Sequence, residues 1–391
     1  MLEWLIIGGG IHGTHLSHVL TAKGKYPKDR IRVLDPFEKP MARWEECTAN
    51  TGMPFLRSPV VHHIDLNPFS LQSFAQTREG RSSAQFTFPY NRPSLEFFRL
   101  HCEHIIHQHQ LQDVRLVGRA SGLNRQENGG IQVETSHGTL TTRRVALAIS
   151  LSEQPAWPHW AREVQAAGAT IHHIFEPGFQ RQQLSSWSHA VVIGGGISGA
   201  QTAQVLAEQS PGTVTLLARH DIKEHQFDSD PGWIGPKFMD RFDREPDKAK
   251  RRAMIQGARH RGSMPPEVAR RLRIYRQQGM LHHQIADVVS ARMIDSGMIE
   301  LALTNGQPPL LTDCIILATG FSPQRPGGEW LERSIDGLGL KCAACGYPIV
   351  GRDLHWGSGV YVSGPLAELE LGPTSRNIVG ARKAGERLAQ V

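Results

Sequence analysis

Residues 5–20 read LIIGGGIHGTHLSHVL, and residues 191–206 read VVIGGGISGAQTAQVL. At a constant offset of 186 positions, Ile7, Gly8, Gly9, Gly10, Ile11, Gly13, Val19 and Leu20 all recur. Each copy places an apolar run before G-x-G-x-x-G and an apolar-periodic run after it. That strand–turn–helix context turns an otherwise weak motif into a dinucleotide fingerprint. The first glycine permits the tight turn, the second lets the main chain approach a pyrophosphate, and the third lets the helix pack close to its strand. The pyrophosphate then sits at the helix N-terminus, where unpaired N–H groups need acceptors. Gly8, Gly10 and Gly13, with Ile11 and His12 between them, define one candidate site. Gly194, Gly196 and Gly199, with Ile197 and Ser198, define a second.

The strand after each fingerprint should end in a residue that reads a ribose, about 20 positions on. RIRVLD ends at Asp35, whose carboxylate accepts from ribose hydroxyls. TVTLLAR ends at Arg219, followed by His220. Arginine accepts nothing, but its planar fork of donors pairs with a 2′-phosphate. The first site therefore reads as an adenosine with a free ribose and the second as NADPH in preference to NADH. Two dinucleotides in one chain suggest hydride passing between them, with FAD at the first site as the simplest assignment.

Composition sets the frame. The chain has 391 residues, 39% hydrophobic and 20% charged, enough apolar material for more than one core. Its 39 glycines cluster in short turns instead of following a collagen period. The net charge of +6 is mild, and the densest basic stretch, residues 248–261, reads as a solvated helical face. A nucleic-acid partner is not expected. No apolar run approaches a membrane span, and five cysteines argue against a disulfide framework, so a cytoplasmic protein is expected. Cys342-x-x-Cys345 reads as two incidental thiols, with redox use as the alternative. His101, His104 and His107 read as a solvated face, and no metal site is expected.

Between these landmarks, residues 36–95 look irregular and rich in aromatics. Residues 93–110 look helical with Ser94 as N-cap. Residues 113–149 look like short strands with an Asn-Gly-Gly turn at 128–130. Residues 225–262 look irregular or helical and 265–281 helical. CIILATGF (314–321) looks like a buried strand running into glycine, and a last helix spans about 375–389.

IIGGGIHG, VVIGGGISG and CIILATGF together resemble the two-dinucleotide-binding flavoproteins. Within them the chain looks most similar to the class B flavin monooxygenases, on the branch of lysine and ornithine N-hydroxylases. RWEECTANTGMPFLRSP (43–59) resembles that branch's flavin-adjacent segment, ATIHHIFEPGF (169–179) its His-centred linker, and FDSDPGWIGPKFM (227–239) its loop after the NADPH site. This last loop lacks the Asn-Glu pair of the amino-acid hydroxylases, and the linker lacks the full F-x-G-x-x-x-H pattern. The resemblance implies an α/β, glutathione-reductase-like fold with two Rossmann-like domains, the NADPH domain inserted in the FAD domain. The expected boundaries are 1–155 and 315–391 for FAD and 156–314 for NADPH.

The resemblance also implies the chemistry. NADPH reduces FAD, and a flavin C4a-hydroperoxide formed with molecular oxygen oxygenates a nitrogen or sulfur atom of a small molecule. Trp44 and Met53 are expected beside the flavin, with Arg57 as the catalytic charge stabiliser. Thr319 and Gly320 belong to the ATG exit. Gly364, Pro373 and Thr374 lie in the segment before the last helix, whose N-terminus is expected at the flavin. A reductase passing electrons to a disulfide, quinone or protein is the alternative, and a non-catalytic nucleotide sensor a third reading. A homo-oligomer is left open.

Overall fold

The structure, a computed structural model, describes residues 1–23, 26–127, 129–294, 297–304 and 306–391. Leu2–Ile7 is buried from Trp4 onward and lies in the middle of the first sheet. The order across that sheet is His355–Gly357, Val360–Val362, Gly138–Leu147, Leu2–Ile7, Ile31–Asp35 and Arg115–Val117. Every neighbouring pair is parallel except the first. Strands covered on both faces read as near-continuous apolar runs, which is what LEWLII and IRVLD show. Ile7 is in register with Leu34 on one side and Leu147 on the other, so three strand ends finish level where the first glycine turn begins. Ala120–Arg125 and Ile131–Thr135 form an antiparallel meander on the long strand Gly138–Leu147. Asn128 of the expected turn lies outside the described residues.

The second sheet runs His282–Ile285, Val214–Ala218, Ala190–Ile193, Cys314–Leu317 and Ile171–His173, all parallel. A three-stranded antiparallel sheet, Val288–Met293, Ile299–Leu303 and Leu310–Thr312, packs beside it. All these strands fall, in sequence, between the strands Gly138–Leu147 and His355–Gly357 of the first sheet. The second unit is therefore an insertion in the first. One boundary moves. Cys314–Leu317 pairs residue for residue with Ala190–Ile193, so the expected cut at 314/315 falls inside a strand of the inserted unit. An apolar strand ending in glycine looks the same in either sheet; only pairing assigns it.

Three stretches differ from expectation. Within residues 36–95, Ala42–Thr51 is a helix, bounded by Met41 and Gly52, both with left-handed backbone. It packs so closely on the second fingerprint helix, Ile197–Gln209, that a Cβ on Gly52 would lie 2.5 Å from the Val205 side chain. On helix Leu95–Gln108, capped by Ser94 at the Phe97 N–H, His101 is fully buried and meets the Ser70 hydroxyl at 2.8 Å. The basic stretch forms helix Lys248–Ala258 and turns inward. Arg252 and Arg259, with Arg376, pair with Glu368, while Arg251 pairs with Glu370 at 3.0 Å. Glu368 has no solvent exposure. A buried carboxylate persists only when paired, so this cluster ties the inserted unit to the loops before the last helix, Ile378–Leu388.

Candidate functional site

Both glycine turns fold as their spacing requires. A Cβ on Gly13 would lie 1.7 Å from the Gly8 carbonyl oxygen, and one on Gly199 2.1 Å from that of Gly194. Gly8 and Gly194 have φ of 105° and 148°, conformations that side chains strain. A Cβ on Gly10 would meet nothing within 4 Å, because that face of the turn opens on a cavity.

The cavity has a volume of about 1000 Å³. Three helix N-termini open on it. Gly10, Ile11 and His12 begin helix Ile11–Ala22; Ile197 and Ser198 begin Ile197–Gln209; Asn377, Ile378 and Val379 begin Ile378–Leu388. None of the three has a side-chain cap or an acidic residue in its first turn. Uncapped N–H groups and the positive end of the helix dipole favour an anion at each. Four lining residues also carry buried polar atoms that lack protein partners: His12 at Nε2, Thr374 at its hydroxyl, Arg43 at Nε and Gln154 at Oε1. His12 Nδ1 is 2.8 Å from the Ser363 hydroxyl, and burial pulls the imidazole down to about 4, so it is neutral near pH 7. The donors, the orphaned atoms and the open face of Gly10 fit a large, polyanionic cofactor.

Asp35 lines the cavity and accepts from the Gly9 N–H at 2.5 Å and the Phe37 N–H at 3.1 Å. Arg115, which sequence reasoning did not single out, adds a third donor at 3.3 Å and lies across the Gly9 turn. A carboxylate has about four acceptor positions, so one remains for a ribose hydroxyl. Trp44 and Met53 line the cavity as expected. Arg219 is exposed at the end of Val214–Ala218, and His220 packs against the faces of Gly195 and Gly262 beside the second turn. A Cβ on Gly364 would lie 3.7 Å from the His12 ring, and the Pro373 carbonyl accepts from Arg259 at 3.0 Å.

Other expected residues take different places. Arg57 lines the cavity, yet its Nε donates to the Gln226 carbonyl at 2.9 Å and its Nη2 to the His225 carbonyl and the Ser263 hydroxyl. Its main engagement is a tie between the two units, seconded by buried Arg92, which meets Glu267 at 2.7 Å. Thr319 and Gly320 do not reach the cavity. The Thr319 hydroxyl donates to the Ala156 carbonyl at 2.5 Å, and the Gly320 carbonyl accepts from Ala156 N–H, so the pair fastens the crossover instead. Cys342 and Cys345 lie off the cavity, with Cys345 exposed. Cys47 is the thiol on the wall, and burial pushes it up to about 11.

Several lining residues were not singled out from the sequence: Gln201, His62, Tyr90 and Arg376, whereas Phe227 and Asp228 open the 227–239 loop. The Tyr90 and Phe227 rings meet in a tilted arrangement, centroids 5.0 Å apart, although 137 positions separate them. Only folding brings such pairs together.

The fold and site place two Rossmann-like α/β units, each with a glycine turn, around one cavity. A family model described as FAD dependent oxidoreductase (DAO) matches residues 189–322, which carry the second fingerprint. Among solved structures, the FAD-bound cadaverine monooxygenase of the desferrioxamine pathway from Erwinia amylovora superposes with a TM-score of 0.76. That match covers 99% of this chain and 94% of the other at 15% identity. The ornithine N-hydroxylase of Kutzneria sp. 744, solved with reduced FAD, NADP+ and L-ornithine, gives 0.76 over 98% and 97% at 15% identity. A bacillithiol disulfide reductase from Bacillus cereus gives 0.63 over 100% and 98%, also at 15%. No curated protein matches the chain in sequence. No helix among the described residues is long and apolar enough to cross a membrane.

Proposed function

We propose that the chain is an FAD- and NADPH-dependent monooxygenase that oxygenates a nitrogen or sulfur atom of a small molecule, with a primary amine as the favoured substrate. The observation that carries this reading is the convergence of three uncapped helix N-termini on one cavity. FAD takes the first turn, through Gly8, Gly10, Gly13 and Asp35. NADPH takes the second, through Gly194, Gly196, Gly199 and Arg219. The DAO match over the second turn speaks for dinucleotide geometry, and Arg219 in place of an acid speaks for the 2′-phosphate there.

Bound FAD, once reduced by NADPH, supplies the activation of oxygen. The protein supplies placement. The N-terminus of Ile378–Leu388 would offset negative charge on a reduced flavin held in the cavity. His12, neutral and fixed by Ser363, would offer Nε2 to a bound cofactor, as would the Thr374 hydroxyl. Arg57 and Arg92 hold the units closed and limit water, and the wall formed by Met53, Leu56, Tyr90, Phe227 and Ile234 receives an apolar body. Disulfide reduction is disfavoured because the thiol pair lies off the cavity and Cys47 stays protonated. Five free thiols support a cytoplasmic setting.

The test loads the protein with FAD and follows NADPH oxidation under labelled oxygen with ornithine, lysine, cadaverine and a thioether. The expected result is labelled oxygen in a hydroxylamine or sulfoxide. Release of hydrogen peroxide alone with every substrate, together with steady turnover of a disulfide or quinone, would establish the reductase instead.

A further inference from the structure

On the side of helix Ile11–Ala22 remote from its N-terminus, three elements bring together two imidazoles and a carboxylate. His18 comes from the helix, Asp65 from the connection before Ser70–Phe74, and His109 from the C-terminal cap of Leu95–Gln108. His18 Nε2 is 3.0 Å from Asp65 Oδ1, and the His18 and His109 ring centroids are 4.1 Å apart. One ligand atom from each residue lies within 4.8 Å of the others, and among the described residues no other group of three does so. We propose that His18, Asp65 and His109 bind a divalent transition-metal ion of the zinc class.

The convergence of the three ligand atoms carries the argument, and the hydrogen bonding of His18 bears on it. Its side chain is 1% exposed and Nδ1 has no partner. If Nε2 carries the proton, it donates to Asp65 and the Nδ1 lone pair is buried without a donor. If Nδ1 carries it, that N–H is orphaned and Nε2 faces the carboxylate lone pair to lone pair. If both are protonated, the orphaned N–H remains, on a buried cation. A buried polar atom left unpaired costs about 1–3 kcal/mol, so every protonation state of the protein alone is unsatisfied. In the Nδ1–H tautomer a cation between Nε2 and Oδ1 replaces the lone-pair conflict with two ligand bonds and draws in the His109 nitrogen, whose ring lies tilted alongside, while Nδ1–H stays without a partner.

Geometry and donor set agree. Three atoms no more than 4.8 Å apart share a point within about 2–2.8 Å of each, so shifts below about 1 Å reach the 2.0–2.2 Å of zinc–nitrogen and zinc–oxygen bonds. The carboxylate is already oriented: Asp65 Oδ1 accepts from the Leu66 N–H at 2.6 Å, and Arg382 binds the Asp65 and Leu66 carbonyls. Two imidazoles and one carboxylate suit zinc, cobalt or nickel, whereas calcium and magnesium take oxygen ligands. Asp65 and His109 are only partly covered, which leaves an approach for the ion and a fourth position for water. The ion would pin three elements behind His62, which lines the cavity, and it takes no part in the proposed oxygenation.

The test is titration of chelator-treated protein with Co²⁺, read by visible ligand-field absorption, then displacement by Zn²⁺. One ion per chain is expected, with a rise in melting temperature. His109→Ala and Asp65→Asn should each weaken binding at least about tenfold, and both sit at partly exposed positions that folding tolerates. His107→Ala, exposed on the same helix, should bind as the unsubstituted protein does and reports adventitious surface histidines. Absence of ligand-field bands, or equal binding by His109→Ala and Asp65→Asn, would overturn the site. Neither result bears on oxygenation, so the two proposals fail separately.

Discussion

Mild acid should unfold this protein through its buried histidines. Burial holds His15 and His101 down to about 3 and His63 to about 4, from an ordinary 6.5. All three have 0–3% exposure. The folded state keeps them neutral, while the unfolded chain protonates them as pH falls past 6.5. Their stabilising contribution is therefore complete above pH 6.5 and drains away as pH falls toward 4. At about pH 5 each has given up about 2 kcal/mol, from 1.36 kcal/mol per pH unit. Together they forfeit about 6 kcal/mol, comparable with the whole stability of a typical domain. Asp65 does not share this window. Burial pushes its carboxyl up, but hydrogen bonds from His18 and Ser70 outweigh that and hold it below the ordinary range, so its loss comes only in stronger acid. The assay is urea unfolding followed by fluorescence from about pH 7.5 to about pH 5. The unfolding free energy should drop steeply below pH 6.5, and His101→Gln should soften the drop by about 2 kcal/mol. A flat profile between pH 7 and 5 would refute the reasoning, because it would mean these imidazoles bind protons alike in both states.

Other outcomes follow from single contacts. Glu368→Gln removes the charge shared by Arg252, Arg259 and Arg376 and should cost about 3–5 kcal/mol in denaturant unfolding, with loss of retained FAD. Arg219→Ala removes an exposed side chain with no internal partner, so stability should hold while KM for NADPH rises about 5–30-fold and KM for NADH stays put; equal effects on both would sink the 2′-phosphate role. Gly199→Ala drives a methyl into the Gly194 carbonyl and should abolish NADPH binding, read by equilibrium dialysis, while FAD content is kept. Arg57→Ala frees the tie to residues 225, 226 and 263 and should raise peroxide leakage per NADPH, measured with a peroxidase-coupled assay; unchanged coupling would reassign Arg57.

Local chemistry wrote much of this molecule into its sequence. The fingerprints were legible because a close helix–strand approach admits only hydrogen at Gly13 and Gly199, and that demand is met within a few residues of chain. Ser94 was legible as a cap for the same reason: its partner, Phe97, is three residues away. The places of Asp35 and Arg219 at the ends of their strands were legible from their spacing after the glycine turns. What tertiary structure decided involves partners far apart. CIILATGF had every mark of a buried strand, but whether it joins the first sheet or the second depends on pairing with Ala190–Ile193. Lys248–Ala258 had the composition of a solvated face, and it is Glu368 and Glu370, more than a hundred residues on, that turn Arg252 and Arg251 inward. Histidine spacing predicted solvent for His101, whose burial is set by Phe74, Ser70 and His63. Arg57 could be placed near the flavin by resemblance, but its carbonyl partners lie in the inserted unit. Hydrogen bonds and ion pairs between distant segments leave no periodic trace in a chain, because either partner alone looks like any other surface residue. Spacing determined where each glycine turn forms; packing determined that the first turn and the start of the second fingerprint helix open on one cavity.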